Sequence, residues 1–358
     1  MTYSLLLLGA LGLAAYRPLT AVALGRPTAT VAMLPAAAVD TTAEKMLAFQ
    51  RSVGGWPKAV NEVKVDYKHP MSAADLQVAR HDAGREDATI DNNATTREIT
   101  YLVGAFKTTQ NPAYRLGAEE GIRYLLKMQQ PSGGFPQYYP ESNLYRAQIT
   151  YNDNAMIRAL QVLKSVADKK GDYALVDPAL LAPAQRAVAQ GVQCILKTQF
   201  SQKGKLTAWC AQHDRTTLLP CKARAFELAS LSGDESVGIT EFLMSLDQPT
   251  PEVRQAIVAA VAWFEASKIP NMAVKEIADS KQPKGRDRVM VPEAGSTLWA
   301  RFYDLDTNQP IYVGRDGVKH AQLADIEVER RTGYVYASNW PEKLLTREYP
   351  KWQQKWGP

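Results

Sequence analysis

KMLAFQRSVGGWPK at residues 45–58 and YLLKMQQPSGGFPQ at residues 124–137 share the pattern that decides the predicted fold. In each stretch an amphipathic run ends in a glutamine, Gln50 or Gln129, and an aromatic residue follows that glutamine by six positions. The glycine pair between them is typical of a helix C-terminus, where the chain leaves the helical conformation. A looser third copy, CILKTQFSQKGKLTAW, occupies residues 194–209. The repetition indicates an array of similar helical units.

Each copy is followed by a second helix that begins at polar residues. These starts are TIDNNAT (89–95), TYNDNAM (150–156) and SGDESVGI (232–239). Because a helix pair cannot bury its apolar face alone, successive pairs must stack, and three pairs closing into a ring form an α/α toroid. The first helices of the three pairs are predicted at residues 41–52, 114–130 and 182–200. The alternative is chance repetition in an irregular α-helical protein.

The last third of the chain has a different character. RFYDLDTNQPIYVGRDGVKH, residues 301–320, combines aromatic and β-branched residues with turn formers. This composition predicts short strands joined by a turn at GRDG. The fold class is therefore mainly α, an α/α toroid with an irregular, short-stranded C-terminal region, which we expect to pack over the mouth of the ring.

The N-terminus and the charge limit where the protein acts and what it binds. The apolar run from Leu5 to Ala15 is too short to span a bilayer but suits a secretory signal. We predict a signal peptide and linker at residues 1–38 and one domain at residues 39–358. The expected product is a secreted or periplasmic monomer with no membrane association in its mature form. A net charge of +5 without a dense Lys/Arg run excludes nucleic-acid binding.

Three cysteines are present, Cys194, Cys210 and Cys221. Cys210 and Cys221 could form a disulfide in an exported protein. Zinc binding by these two thiols and His213 lacks the usual CxxC spacing. A Ser-His-Asp triad at His213 and Asp214 lacks the G-x-S-x-G elbow.

The acidic and amide side chains at the helix starts suggest a site. Asp91, Asn92, Asp153 and Asn154 offer oxygen ligands, which Ca²⁺ and Mg²⁺ prefer. The toroid would bring these starts to one rim, where water or an acidic substrate could complete the coordination. One alternative is that they are ordinary helix N-caps. Another is that Asp91 and Asp153 are the paired carboxylates of a glycoside hydrolase.

Eight motifs together resemble the pectate lyases of the tenth polysaccharide-lyase family. They occur in order between Glu44 and Tyr334: GGWPK, TIDNNAT, GGFPQYYP, TYNDNAM, LTAWCAQHD, KARAFELASLSGDESVGI, RFYDLDTNQPIYVGRDG and ERRTGY. Two departures are the continuation AVNEVKVDY after GGWPK, where the family has a nearby Asn, and Ala229, where it has Pro. The resemblance implies an α/α toroid that cleaves polygalacturonate by calcium-assisted β-elimination.

The resemblance also implies roles for individual residues. Asp91 and Asp153 would hold Ca²⁺, and Arg224 would be the catalytic base. The substrate-binding residues would be Asn92, Arg301 and Arg315. Arginine has a pKa above about 12 and is ordinarily protonated. Nearby cations would lower the pKa of Arg224, and an alkaline optimum is expected.

Two other functions remain open on the sequence. One is a glycoside hydrolase on the same scaffold, and the other is a calcium-dependent pectin-binding protein without catalysis. A fold alone cannot decide between them, because one scaffold hosts many chemistries.

Overall fold

The computed structural model describes residues 39–140, 142–282 and 284–357, so the predicted signal peptide and linker at residues 1–38 lie outside the described residues. The helices are α1 (Thr41–Phe49), α2 (Ala73–His81), α3 (Thr96–Thr109), α4 (Pro112–Met128), α5 (Ala155–Ala167), α6 (Leu181–Thr198), α7 (Glu235–Met244), α8 (Pro251–Ala266), α9 (Val328–Gly333) and α10 (Tyr349–Trp356). Each of these helices is too short or too polar to cross a membrane.

The strands are mostly two residues long. They are β1 (Ala59–Val60), β2 (Val63–Lys64), β3 (Ile149–Thr150), β4 (Ser201–Gln202), β5 (Lys205–Leu206), β6 (Gln212–His213), β7 (Leu231–Ser232), β8 (Ile269–Ala278), β9 (Arg286–Ala300), β10 (Phe302–Tyr303), β11 (Tyr312–Val313), β12 (Lys319–His320) and β13 (Ala337–Ser338). Only β8 and β9 among the described strands are long, and they pair as an antiparallel hairpin.

The helices form the predicted α/α toroid. Helices α3, α5 and α7 contact one another in sequence and form the inner layer, while α1, α4, α6 and α8 form the outer layer. The three predicted first helices correspond to α1, α4 and α6, and their bounds agree with the prediction to within about three residues. Helix α8 is a fourth outer helix that the repeat pattern did not predict.

The repeated glutamine links each outer helix to the next. Its side-chain amide has two N–H groups, and each donates to a main-chain carbonyl at 2.8–2.9 Å, one in the following loop and one on the next outer helix. The links run from Gln50 to Gly54 and Gly117, from Gln129 to Gly133 and Ala187, and from Gln199 to Thr207 and Ala256. The amide makes the same two contacts in all three repeats, which explains why the glutamine recurs at each helix end.

The structure reveals a fourth copy of the repeat at Trp299. The indole N–H of Trp209 donates to a carbonyl of α6 at 2.8 Å, and that of Trp299 donates to a carbonyl of α8 at 2.8 Å. Both tryptophans precede the same spacing, W-x₄-D-x₂-T-x₂-P. In the fourth copy the long hairpin β8–β9 follows α8, and Trp299 lies at the end of its second strand. The third copy has only the short hairpin β4–β5 between α6 and Trp209. This long insertion hides the fourth copy in the sequence.

The C-terminal region packs over the starts of the inner helices, as predicted. Strand β10 pairs with β7, which immediately precedes α7. The GRDG turn joins the antiparallel strands β11 and β12. A second hydrophobic core lies here, separate from that of the toroid, and it contains Phe226, Phe302, Tyr312 and Tyr336.

The glycine pair after each of the first two repeat helices permits close packing. Gly133 has a φ of 87°, and a Cβ on it would collide with the main-chain carbonyl of Gln190 on α6. Gly54 has a φ of 104° and meets the carbonyl of Glu120 on α4 in the same way. Glycine is therefore required both for the left-handed backbone and for the approach of the next outer helix.

Gly133→Ala is expected to lower the free energy of unfolding by about 2–4 kcal/mol, because a left-handed alanine costs about 1–2 kcal/mol and overpacking adds a similar amount. Gly204→Ala is the matched control, since Gly204 has a φ of 78° and no heavy atom within 4 Å of its Cβ position. The free energy of unfolding of Gly204→Ala should fall only by the cost of the left-handed alanine backbone. Urea denaturation measures both, and equal losses would show that the close approach contributes nothing.

Candidate active site

The three inner helices begin at one rim, and their first residues are not capping side chains. The N-cap residues Thr95, Asn154 and Asp234 make no side-chain capping hydrogen bond. Side-chain caps are found instead on the outer helices α1, α4 and α8, from Asp40, Asn111 and Thr250. The capping alternative therefore does not explain the polar clusters at the inner helix starts.

The first two inner helix starts share an unusual backbone. Two consecutive residues in each adopt the left-handed conformation, which asparagine and aspartate tolerate best among residues with a Cβ. Their φ angles are 51° at Asn92, 68° at Asn93, 52° at Asp153 and 57° at Asn154. When the two helix starts are aligned on these left-handed pairs, Asn92, and not Asp91, occupies the position of Asp153.

Asp91 is buried beside Lys58. Its side chain forms an ion pair with Lys58 through Oδ2, while Oδ1 is buried with no hydrogen-bond partner among the described residues. The main-chain N–H of Asp91 donates to the Thr89 hydroxyl at 3.0 Å, which holds the turn in place. An unpartnered carboxylate oxygen is costly to bury, so this atom is suited to accept a cation.

Arg301 gathers the carboxylates of the other two helix starts. Its Nη1 lies 3.0 Å from Asp234, its Nη2 lies 3.4 Å from Asp153, and Nη2 also pairs with Glu235. The N–H of Asp153 donates to Glu235 at 3.3 Å. The side chain of Arg301 is only 7% exposed, and Asp153 is the most exposed of its three partners at 39%. Asp153 is therefore the carboxylate of this group that a ligand can reach.

Burial and mutual repulsion shift these carboxylates toward their neutral forms. Burial raises the pKa of Asp153, with Arg301 opposing and Glu235 and Asp91 adding to the rise. Burial and the neighbouring Glu235 raise the pKa of Asp234 to about 7. Because Asp91 contributes to the rise at Asp153, the two helix starts lie close enough for their carboxylates to repel each other.

Arg224 belongs to none of these carboxylate contacts and is paired instead with Glu227. Its Nε donates to Glu227 Oε2 at 2.7 Å and its Nη2 pairs with Oε1, which makes a bidentate ion pair. Burial disfavours the charged guanidinium, but the Glu227 carboxylate outweighs this and raises the pKa of Arg224. The pKa of Arg224 is therefore raised and not lowered as expected, because the closest charge to Arg224 is the negative charge of Glu227.

Tyr334 connects the two halves of the site. The guanidinium of Arg301 lies 4.8 Å from the centroid of its ring and that of Arg224 lies 5.8 Å away. The Tyr334 hydroxyl donates to Glu227 at 3.0 Å. Tyr334 thus fixes the spacing between the carboxylate rim and Arg224.

Arg315 belongs to a second group of arginines around Phe226. The guanidinium groups of Arg224, Arg315 and Arg330 lie 4.8, 5.5 and 4.6 Å from the Phe226 ring centroid. The side chain of Arg315 is 59% exposed and pairs with Glu329 at 3.2 Å, so it is free to exchange this partner for a ligand carboxylate. Its exposed position differs sharply from that of Arg301.

The structure thus brings the six predicted residues to one face, with Asn92 exposed beside Lys58 at its edge. Sequence reasoning assigned no role to four neighbours that complete the site: Lys58, Glu227, Glu235 and Tyr334. Lys58 ends the GGWPK motif and Glu235 starts the third inner helix, so position in the repeat could have indicated both. Glu227 and Tyr334 carry no such signal.

The histidine and cysteine alternatives do not form a site. His213 accepts a hydrogen bond from the N–H of Cys210 at Nε2, and its Nδ1 lies 3.0 Å from the carbonyl oxygen of Leu218. Burial lowers the pKa of His213 to about 4, so it is a neutral core residue. Cys194, Cys210 and Cys221 are all free thiols in this structure.

The carboxylates fit a hard cation that is held partly by other ligands. Asp91 offers an unpartnered oxygen and Asp153 an accessible one. Over the described part of the chain, no cluster of three or more His, Cys, Asp or Glu side chains is placed to enclose a metal. Any cation here must take further ligands from water or substrate, as Ca²⁺ readily does.

Comparison with known proteins identifies the family. The model of the pectic acid lyase family matches residues 50–345. Two structures of a family 10 polysaccharide lyase from Cellvibrio cellulosa, one of them an aspartate-to-alanine mutant in complex with trigalacturonic acid, have a TM-score of 0.76 and 36% sequence identity. Each comparison covers 88% of this chain and 92% of the other. No curated protein sequence matches the chain.

The matched range spans the three inner helix starts and most of the C-terminal region. On this agreement of sequence and fold, the protein belongs to the pectic acid lyases of polysaccharide lyase family 10.

Proposed function

We propose that this lyase cleaves polygalacturonate by calcium-dependent β-elimination and releases 4,5-unsaturated oligogalacturonides. The observation that carries the proposal is that two arginines lie over the Tyr334 ring, and one of them, Arg301, pairs with the carboxylates of the inner helix starts. A polymer with one carboxylate on each sugar requires cationic partners along its path. The trigalacturonic acid in the structure of the family relative supports the same substrate class.

Substrate carboxylates are bound by Arg315 and Asn92 in this proposal, with Arg301 as the organiser of the rim. Arg315 is exposed and its planar fork suits bidentate carboxylate binding. Asn92 is exposed beside Asp91. Both terminal nitrogens of Arg301 already pair with protein carboxylates, so a substrate carboxylate reaches them only by displacing one of these partners.

Asp91 and Asp153 would hold Ca²⁺ together with a substrate carboxylate. When bound there, the cation supplies charge neutralisation of that carboxylate, which makes the adjacent C5 proton more acidic. The unpartnered oxygen of Asp91 and the accessible side chain of Asp153 support this assignment.

Arg224 is the proposed catalytic base. After losing a proton to solvent, the neutral guanidine takes the C5 proton, the electron pair of that C–H bond forms the double bond between C4 and C5, and the C4–O bond breaks. The leaving oxygen takes a proton from solvent. Because Glu227 raises the pKa of Arg224, the base must lose or weaken this ion pair before it accepts a proton.

We also propose that residues 39–358 form the catalytic domain of a monomer acting outside the cytoplasm, where a polymeric substrate is accessible. The apolar run from Leu5 to Ala15 supports export. N-terminal sequencing of the exported protein tests this, because a retained leader would contradict a cleaved signal.

Chelation with EDTA is expected to abolish the ultraviolet absorbance that marks the unsaturated product, and Ca²⁺, but not Zn²⁺, should restore it. Asp153→Asn should respond poorly to added Ca²⁺. Undiminished lysis in excess EDTA would remove the metal role. New reducing ends without absorbance would indicate hydrolysis, and retention on polygalacturonate without new ends would indicate a binding protein.

Arg224→Ala is expected to lower kcat by about 10²–10⁴-fold, the usual contribution of a proton-transfer group, with little change in KM. Arg315→Ala should instead raise KM about tenfold, because it removes a charged contact present in ground and transition states alike. Steady-state kinetics on polygalacturonate separates the two effects. A full-rate Arg224→Ala enzyme would end the assignment of the base.

Glu227→Gln should move the alkaline rise of kcat to lower pH by about one unit or more. The Glu227 carboxylate raises the pKa of Arg224, so its removal lowers that pKa and increases the neutral fraction at a given pH. Glu329→Gln is the control, since Glu329 pairs with Arg315 and Arg330 but not with Arg224. An unmoved pH–rate profile in Glu227→Gln would mean that Arg224 does not titrate in catalysis.

A further inference from the structure

Arg97 is held rigidly next to the rim although it belongs to none of the ion pairs described above. It lies in the first turn of α3, with Nε 3.0 Å from Glu98 Oε1 and Nη2 paired with the same oxygen. Glu98 is fully buried and also accepts the Tyr67 hydroxyl at 2.9 Å. The Arg97 guanidinium lies 5.0 Å from the centroid of the Tyr67 ring. These contacts fix the orientation of the guanidinium.

The side chain of Arg97 nevertheless remains open to solvent. It is 36% exposed, and its Nη1 donates to none of the described residues. A guanidinium carries five N–H donors in a fixed fork, so this one retains donors for a ligand. The ion pair with Glu98 uses only the Nε and Nη2 donors of the Arg97 guanidinium, so it does not account for the exposed Nη1.

Arg97 forms the shared wall of two adjoining hollows. One, of about 230 Å³, is also lined by Lys58, Asn92 and the hairpin β1–β2. The other, of about 520 Å³, lies between α3 and α5 and is lined by Asn93 and Arg158. Among the described residues that line these hollows, the only acidic side chain is the exposed Glu62 in the turn of the hairpin.

The smaller hollow begins at the proposed site, because Lys58 pairs with Asp91 and Asn92 follows it in the same turn. Its outer wall is the hairpin formed by AVNEVK, residues 59–64, in the segment where the sequence departs from the family pattern. Arg158 extends the basic surface beyond Arg97. Its Nη1 donates to the main-chain carbonyl of Asp153 at 2.6 Å, and it forms no ion pair with a described residue.

We infer that Arg97 binds the carboxylate of a galacturonate unit beyond those at the catalytic centre, in a distal subsite that favours long chains over short oligomers. This inference rests on the proposed function. Polygalacturonate presents a carboxylate on every sugar, so a chain leaving the centre past Asn92 meets Arg97 as the next fixed cation. Glu98 and Tyr67 act as positioning residues for it.

The experiment compares kcat/KM on polygalacturonate and on trigalacturonate. Arg97→Ala is expected to lower the polymer-to-trimer ratio about tenfold, the usual effect of losing one charged hydrogen bond. Arg115→Ala is the matched control. Arg115 is 42% exposed, faces the buried Glu119 at 3.5 Å and stacks 5.5 Å from Phe106, but it lies on the outer helix α4 away from the rim. The polymer-to-trimer ratio of kcat/KM for Arg115→Ala should equal that of the wild type.

Arg97→Ala leaves Glu98 buried without its cation, which can prevent folding. The double variant Arg97→Gln/Glu98→Gln removes both charges and should show the same fall in the ratio while its thermal unfolding stays close to that of the wild type. An equal loss on both substrates, or an unchanged ratio, would overturn the distal subsite. A wild-type protein that cleaves neither substrate would instead overturn the proposed function.

Discussion

One glutamine amide at the end of each of three outer helices sets the spacing on which the rest of the molecule depends. Each amide is saturated by a carbonyl of its own loop and a carbonyl of the next outer helix. Gln199 is buried, so losing one of these partners would leave a polar group unsatisfied there, which costs about 1–3 kcal/mol. Neighbouring helices are therefore held in one relative position, and the inner helix starts are carried to the same rim.

That rim concentrates negative charge, and the protein balances it with few cations. Asp153, Asp234 and Glu235 share Arg301, while Asp91 has Lys58. Burial and repulsion raise the pKa values of Asp153 and Asp234. Such a site is stabilised by anything that adds positive charge, which is consistent with the proposed cation and with a substrate whose own carboxylates need bridging.

The arginines divide into two kinds by their partners. Arg301 is buried and both of its terminal nitrogens pair with protein carboxylates, whereas Arg315 and Arg97 are partly exposed and keep capacity for a ligand. Arg224 lies between these cases, because it is partly exposed but held bidentately by Glu227. In the proposed mechanism, proton transfer to Arg224 therefore depends on how substrate binding changes the Arg224–Glu227 pair, and not on the intrinsic acidity of arginine alone.

The sequence by itself determined the helical repeat, the three inner helix starts and the GRDG turn, because periodicity, glycine stops and turn residues act over a few neighbouring positions. The pattern at the helix starts singled out Asp91, Asn92 and Asp153, and the family resemblance added Arg224, Arg301 and Arg315 as predicted site residues. Only the tertiary structure decided that the fourth repeat lies behind the hairpin β8–β9 and which charges pair. Arg301 meets Glu235 and Asp153 across separations of 66 and 148 residues. Partners that far apart are chosen by packing, and so is the sign of the pKa shift of Arg224, since the nearby Glu227 carboxylate outweighs the effect of burial.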